Sequence, residues 1–209
     1  MNVEAINPYP PLIYGGHYDF TQAQLAAADE ILQTSKNTTS HLESGNAVSS
    51  VAVQSVAPHR QEIFRDFFKW ALHTGQQVLG LLNISQPELF YIGNSWINRH
   101  GYGGMTLPHN HGYSGLSMVA YLNLPTNSGF TEFKDPHYDL KSLTEHSNEL
   151  HTLKEFYPIR VRQNDVLFFP GWLTHRSGIN SSHSDRIILS ANFINFTHRT
   201  QLTLGDVYS

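Results

Sequence analysis

The chain has 209 residues and no cysteine, which excludes disulfides, thiolate metal sites and a cysteine nucleophile. With 17 acidic residues against 13 basic ones the formal net charge is −4, so nothing favours nucleic acid or an anionic membrane as main partner. No window approaches the ~18 apolar residues of a membrane span, and the first 35 residues carry no Lys, Arg or unbroken apolar run. The expectation is a soluble, cytoplasmic protein with one domain over 1–209. Within it, 1–85 form an extended lead-in and helices, and 86–198 form the core.

Residues 1–16 read as an extended, Pro-rich lead-in. Thr21-Gln22-Ala23-Gln24 fits a capping box, and Leu25, Ala28 and Leu32 follow at helical spacing, which predicts a helix over 21–35. Residues 36–58 read as loop with one or two short strands. Residues 59–82 carry a strong helical period, with Ile63, Phe67, Ala71, Val78 and Leu82 on one face and Phe64, Phe68, Leu72 and Leu79 beside it. So wide an apolar stripe suits a helix lying flat on a sheet. After Pro87 the texture turns to strands at 88–99, 115–124, 129–134, 157–163, 165–170 and 186–196, with a turn at Gln163-Asn164-Asp165 and an excursion loop over 137–156. Helices followed by many short strands predict an α+β fold, mainly β, with a sandwich or barrel in the second half.

There are 13 histidines, as many as Lys and Arg together, and their spacing decides which carry chemistry. In His109-Asn110-His111 the two imidazoles stand at i and i+2, so an extended backbone points both the same way, toward one metal ion. The apolar run Val166-Leu167-Phe168-Phe169 ends in Pro170-Gly171-Trp172 and then presents His175. In Arg186-Ile187-Ile188-Leu189-Ser190-Ala191-Asn192-Phe193, alternation puts Arg186, Ile188, Ser190 and Asn192 on one face. A buried Arg needs an anion or a carboxylate, and Asp185 points the opposite way. The two solutions are a bound carboxylate ligand, gripped bidentately, and a distant Asp or Glu.

In order, the chain reads Trp96-Ile97-Asn98, His109-Asn110-His111, Ser114-Gly115, Tyr121, Gly129, Phe133, Asp135-Pro136, Phe169-Pro170, His175 and Arg186. This set resembles the iron- and 2-oxoglutarate-dependent oxygenases, most closely the 2OG-Fe(II) oxygenases of bacteria and phages, over about residues 90–196. The resemblance implies a double-stranded β-helix, a jelly-roll or cupin-like core with N-terminal helices packed outside. It implies Fe(II) held by His109, His111 and His175, with Asp135 as the alternative carboxylate ligand. It also implies 2-oxoglutarate as cosubstrate, held by Arg186, Ser190 and Tyr121. His111, Tyr113 and Tyr121 share parity, consistent with one inward face. A His at 111 departs from the two-His-one-carboxylate pattern and keeps two alternatives open. One is a cupin-like three-His dioxygenase without 2-oxoglutarate, and the other is a non-catalytic metal-binding jelly-roll module. The implied activity is that of a 2-oxoglutarate-dependent dioxygenase, a hydroxylase of a small molecule or a protein side chain. The loops 99–108 and 136–156, with Tyr102, His137, Tyr138 and Asp139, are the candidate substrate loops. The pattern says nothing of oligomeric state.

Overall fold

The computed structural model describes residues 11–35, 42–139 and 154–195. Among the described residues, these strands and helices follow in chain order: β1 (Tyr14–His17), α1 (Gln22–Thr34), β2 (Glu43–Ser44), β3 (Ala47–Ser49), α2 (Arg65–Leu81), β4 (Phe90–His100), β5 (Met105–Thr106), β6 (Leu116–Asn123), β7 (Thr131–Lys134), β8 (Phe156–Pro158), β9 (Asp165–Pro170), β10 (His175–Ser177) and β11 (Arg186–Asn195). They form an antiparallel six-stranded sheet in the order β1-β9-β6-β11-β4-β3, a three-stranded sheet β10-β7-β8 and a pair β2-β5. This is the jelly-roll architecture that the motif order implies.

Period-two alternation sorts the side chains into two cores. From β6, Leu116, Met118, Ala120 and Leu122 join Val166, Phe168, Leu189, Ala191 and Phe193 in a cluster shared with Phe64, Phe67, Ala71 and Leu79. The intervening Val119, Tyr121, Leu167, Phe169 and Ile188 join Phe133 and Leu173 in a second cluster between the sheets. Helix α2 lies close on β11. A Cβ at Gly75 would come within 2.4 Å of the Phe193 ring, so a glycine in mid-helix is what lets helix and sheet meet there.

The helix at 21–35 forms over 22–34, and its capping box is complete: Thr21 Oγ1 accepts from Gln24 N–H and the Gln24 side chain accepts from Thr21 N–H. The second helix starts later than its periodicity predicts. Residues 58–60 and 62–64 are 3₁₀ turns, so Ile63 leaves the helical face and is 43% exposed, while Phe64 is fully buried. The strand predicted over 157–163 pairs only at 156–158. Most of the 137–156 excursion falls outside the described residues. Both edges of the large sheet come from the N-terminal part of the chain, β1 pairing with β9 and β3 with β4. No helix among the described residues is long and apolar enough to cross a membrane.

Candidate active site

His109, His111 and His175 converge, each offering a ring nitrogen within 4.8 Å of the others. Ring centroids lie 4.3 Å apart for His109–His175, 4.9 Å for His109–His111 and 5.2 Å for His111–His175. The backbone sets this convergence. His109 and His175 form an isolated antiparallel bridge, each N–H donating to the other's carbonyl at 2.9 Å. His111 N–H donates to the Gly171 carbonyl at 2.7 Å, tying its loop to the turn after β9.

Protonation states suit a metal. His109 Nδ1–H donates to the Leu107 carbonyl at 2.8 Å and His175 Nδ1–H to the Leu173 carbonyl at 2.9 Å, which puts the lone pair of each neutral ring on Nε2. Burial, reinforced by the neighbouring His109, lowers His111 to about 4 and His175 to about 3. Neutral imidazoles are the form that binds Fe, Zn, Cu or Ni. Among the described residues no carboxylate joins the group. Asp135 Oδ1 instead accepts from His137 N–H at 2.9 Å in a turn. Trp96 packs edge-on to His111 at 5.6 Å, and Phe169 likewise to His175 at 4.7 Å, so aromatic walls flank the imidazoles.

The triad opens onto a cavity of about 340 Å³ whose floor is the inner face of β4 and β11. Ile188, Ser190 and Asn192 border it, as alternation along that strand predicts, while Leu189, Ala191 and Phe193 face the helices. Asn94, Trp96 and Asn98 line the adjacent row.

Arg186 is 1% exposed at the start of β11, and among the described residues no Asp or Glu pairs with it, which leaves the distant-carboxylate route without support. Its Nη1 donates to the carbonyls of Ser128 and Gly178, and its Nε donates to His100 Nδ1 at 3.4 Å. Nη2 is buried without a partner, at a cost of about 1–3 kcal/mol if nothing binds it. The guanidinium is thus clamped through Nη1 and Nε, with Nη2 as its unpartnered nitrogen among the described residues. Gly129 is part of the clamp: its φ is +76°, and a Cβ there would come 2.9 Å from Nη1. His100 completes it. Fully buried and lowered to about 3 by burial and the Arg186 charge, its neutral ring accepts from Arg186 and donates from Nε2 to Thr106 Oγ1 at 2.8 Å.

Tyr121 is buried, and its hydroxyl shares a hydrogen bond with Thr131 Oγ1 at 2.6 Å while accepting from Thr131 N–H at 3.3 Å. Thr131, not Tyr121, borders the cavity. Burial, the leading cause, raises the phenol pKa. Tyr113 does not share the inward face that its parity suggests: it sits in a turn and is 79% exposed. Tyr102, Trp172, His137, Tyr138 and Asp139 do not line the cavity; Tyr102 stacks on His183 at 5.4 Å. His100, Thr131 and Asn94 carry no sequence signal of their own, whereas Asn98 stood in the motif set and Asn192 on the Arg186 face.

Residues 94–192 match the model of the family described as "Putative 2OG-Fe(II) oxygenase". No curated protein matches the sequence significantly. Among solved structures, the non-heme α-ketoglutarate dependent carbocyclase SnoK from nogalamycin biosynthesis aligns with a TM-score of 0.57 at 15% identity, over 88% of this chain and 79% of its own. HygX from Streptomyces hygroscopicus, solved with nickel, 2-oxoglutarate and hygromycin B bound, gives 0.56 at 9% identity over 88% and 83%. A Pseudomonas putida prolyl-4-hydroxylase gives 0.52 at 13% identity over 88% and 92%. At such identities the likeness shows the shared jelly-roll fold. The family match covers 94–192, just under half of the chain, and His109, His111, His175 and Arg186 all lie inside the matched segment.

Proposed function

We propose that the protein is an Fe(II)- and 2-oxoglutarate-dependent dioxygenase, coupling decarboxylation of 2-oxoglutarate to succinate with hydroxylation of a second substrate. One observation carries this reading: the imidazoles of His109, His111 and His175 converge at the wall of a cavity, two of them oriented by Nδ1–H bonds to backbone carbonyls. His109, His111 and His175 would hold the iron. Bound there, the metal supplies the redox-active Lewis acid at which dioxygen and 2-oxoglutarate react.

The rest is the protein's own work. Arg186 would donate from Nη2 to the distal carboxylate of 2-oxoglutarate, its orientation fixed by His100 and two carbonyls. Ser190, on the same face, would add its hydroxyl, which lines the cavity. Tyr121 would act from behind Thr131, holding that hydroxyl in place. Trp96, Phe133 and Phe169 exclude water from one side of the imidazoles. A second reading, a three-His dioxygenase that needs no 2-oxoglutarate, draws on the absence of a carboxylate from the histidine group among the described residues.

Anaerobic calorimetry of 2-oxoglutarate with Fe(II)-loaded protein, apo protein and Arg186→Lys tests the assignment. The expected result is binding that requires metal and weakens at least about tenfold in the variant, equivalent to roughly 1.4 kcal/mol, with metal affinity unchanged. Metal uptake without 2-oxoglutarate uptake would transfer the assignment to the three-His dioxygenase. No metal uptake at all would overturn both.

A further inference from the structure

The cavity carries polar groups that neither the metal nor 2-oxoglutarate uses in the reading above. Strands β4 and β11 pair with Asn94 directly opposite Asn192, and both side chains line the cavity. Asn192 is 5% exposed. Its Oδ1 accepts from Ser117 Oγ at 2.8 Å, which sets the amide and leaves Nδ2 as an uncommitted donor. Asn94 Oδ1 is buried and has no partner, so it is an uncommitted acceptor. The two lie side by side on one wall, where the ladder is locally disturbed by a bulge between Asn192 and Phe193. Charge is sparse around them. Glu43 and Arg176 are the charged side chains bordering the cavity, and Arg176 Nε already donates to Glu132 at 2.7 Å.

We propose that Asn94 and Asn192 form the substrate subsite of the oxygenase and that the group they hold is a primary carboxamide. The proposal deepens the oxygenase reading and rests on it for the word substrate. Its chemistry follows from the donor and acceptor inventory. A primary amide carries an N–H and a carbonyl on the same edge, matching one acceptor beside one donor. A carboxylate has no proton for Asn94 Oδ1. An ammonium has no acceptor for Asn192 Nδ2. A trans secondary amide presents its N–H and its carbonyl on opposite sides, so it reaches one asparagine at a time. An alcohol donates and accepts through a single oxygen, whereas the amide meets the two asparagines with two separate atoms.

Saturation-transfer NMR on Zn(II)-loaded protein, with and without 2-oxoglutarate, tests this with propionamide, propionate, N-methylpropionamide, propylammonium and propan-1-ol as matched probes. Propionamide should bind about tenfold tighter than any other probe. Asn94→Leu and Asn192→Asp should each erase that preference. In both variants 2-oxoglutarate binding, read by calorimetry, should stay within about twofold of wild type. Equal binding of propionamide and propan-1-ol to the wild-type protein would overturn the proposal without recourse to any variant, showing that water alone satisfies the asparagines. So would a propionamide preference that survives in both variants. Loss of 2-oxoglutarate binding to the wild-type protein would instead strike the oxygenase reading, while the probe ranking without 2-oxoglutarate still decides the carboxamide site.

Discussion

On one face of β11, Leu189, Ala191 and Phe193 are wholly buried against the neighbouring strands and α2. On the other face, one residue out of step, Ile188, Ser190 and Asn192 border a cavity, and the Asn192 amide keeps a donor without a partner among the described residues. The same backbone thus serves a dry, interdigitated layer and a polar wall waiting for ligands. The contrast separates where stability resides from where chemistry resides, because alternation lets one strand do both without compromise. It also makes clear forecasts about single substitutions.

The largest effect belongs to the dry face. Phe193→Ala should cost about 3–5 kcal/mol, since the ring is fully buried against Phe168 and Gly75 and the helix cannot collapse into the gap. Urea unfolding measures this; a loss below about 1 kcal/mol would erase the distinction between the faces. Next comes His100, behind the cavity face. Its folded-state pKa is depressed to about 3, so the unfolded chain takes a proton that the folded one refuses. Its contribution is complete above about pH 6.5 and is lost as pH falls toward 3, at up to about 1.4 kcal/mol per pH unit. His100→Gln keeps an acceptor for Arg186 and a donor for Thr106, and it should flatten the acid limb of the stability profile by that slope. An unchanged profile would mean the histidine is charged where it sits. The smallest effect is expected at Ser190→Ala. Its hydroxyl lines the cavity, so stability should move by less than about 0.5 kcal/mol while 2-oxoglutarate affinity falls several-fold by calorimetry.

Much of this contrast was legible in the sequence. The alternation in 186–193 separates the two faces correctly, and the capping box at Thr21 places α1 within a residue. The spacing of His109 and His111 and the turn before His175 name the three residues that converge. What escaped depends on contacts distant in the chain. The carbonyls that hold Arg186 belong to Ser128 and Gly178, in segments with no periodic pattern, and any residue type offers a carbonyl. Ile63 fits the helical period but falls in a 3₁₀ turn, and Tyr113 fits the strand parity but falls in a turn. Parity and period hold only while the backbone stays regular, and both failures occur at the ends of elements.

The reciprocal bonds between His109 and His175 bear on how an ion comes and goes. Two backbone N–H groups fix these ligands at their spacing without help from a metal, so loading completes no fold, unlike a zinc finger that collapses around its ion. Chelators should strip the ion and leave the jelly roll standing, which makes occupancy a reversible exchange with the surrounding pool. A set of three imidazoles ranks divalent ions by the Irving–Williams order, with nickel and copper above iron. On the proposed reading, supply would therefore decide which metal these histidines hold, and the protein would depend on its surroundings to keep the stronger competitors scarce.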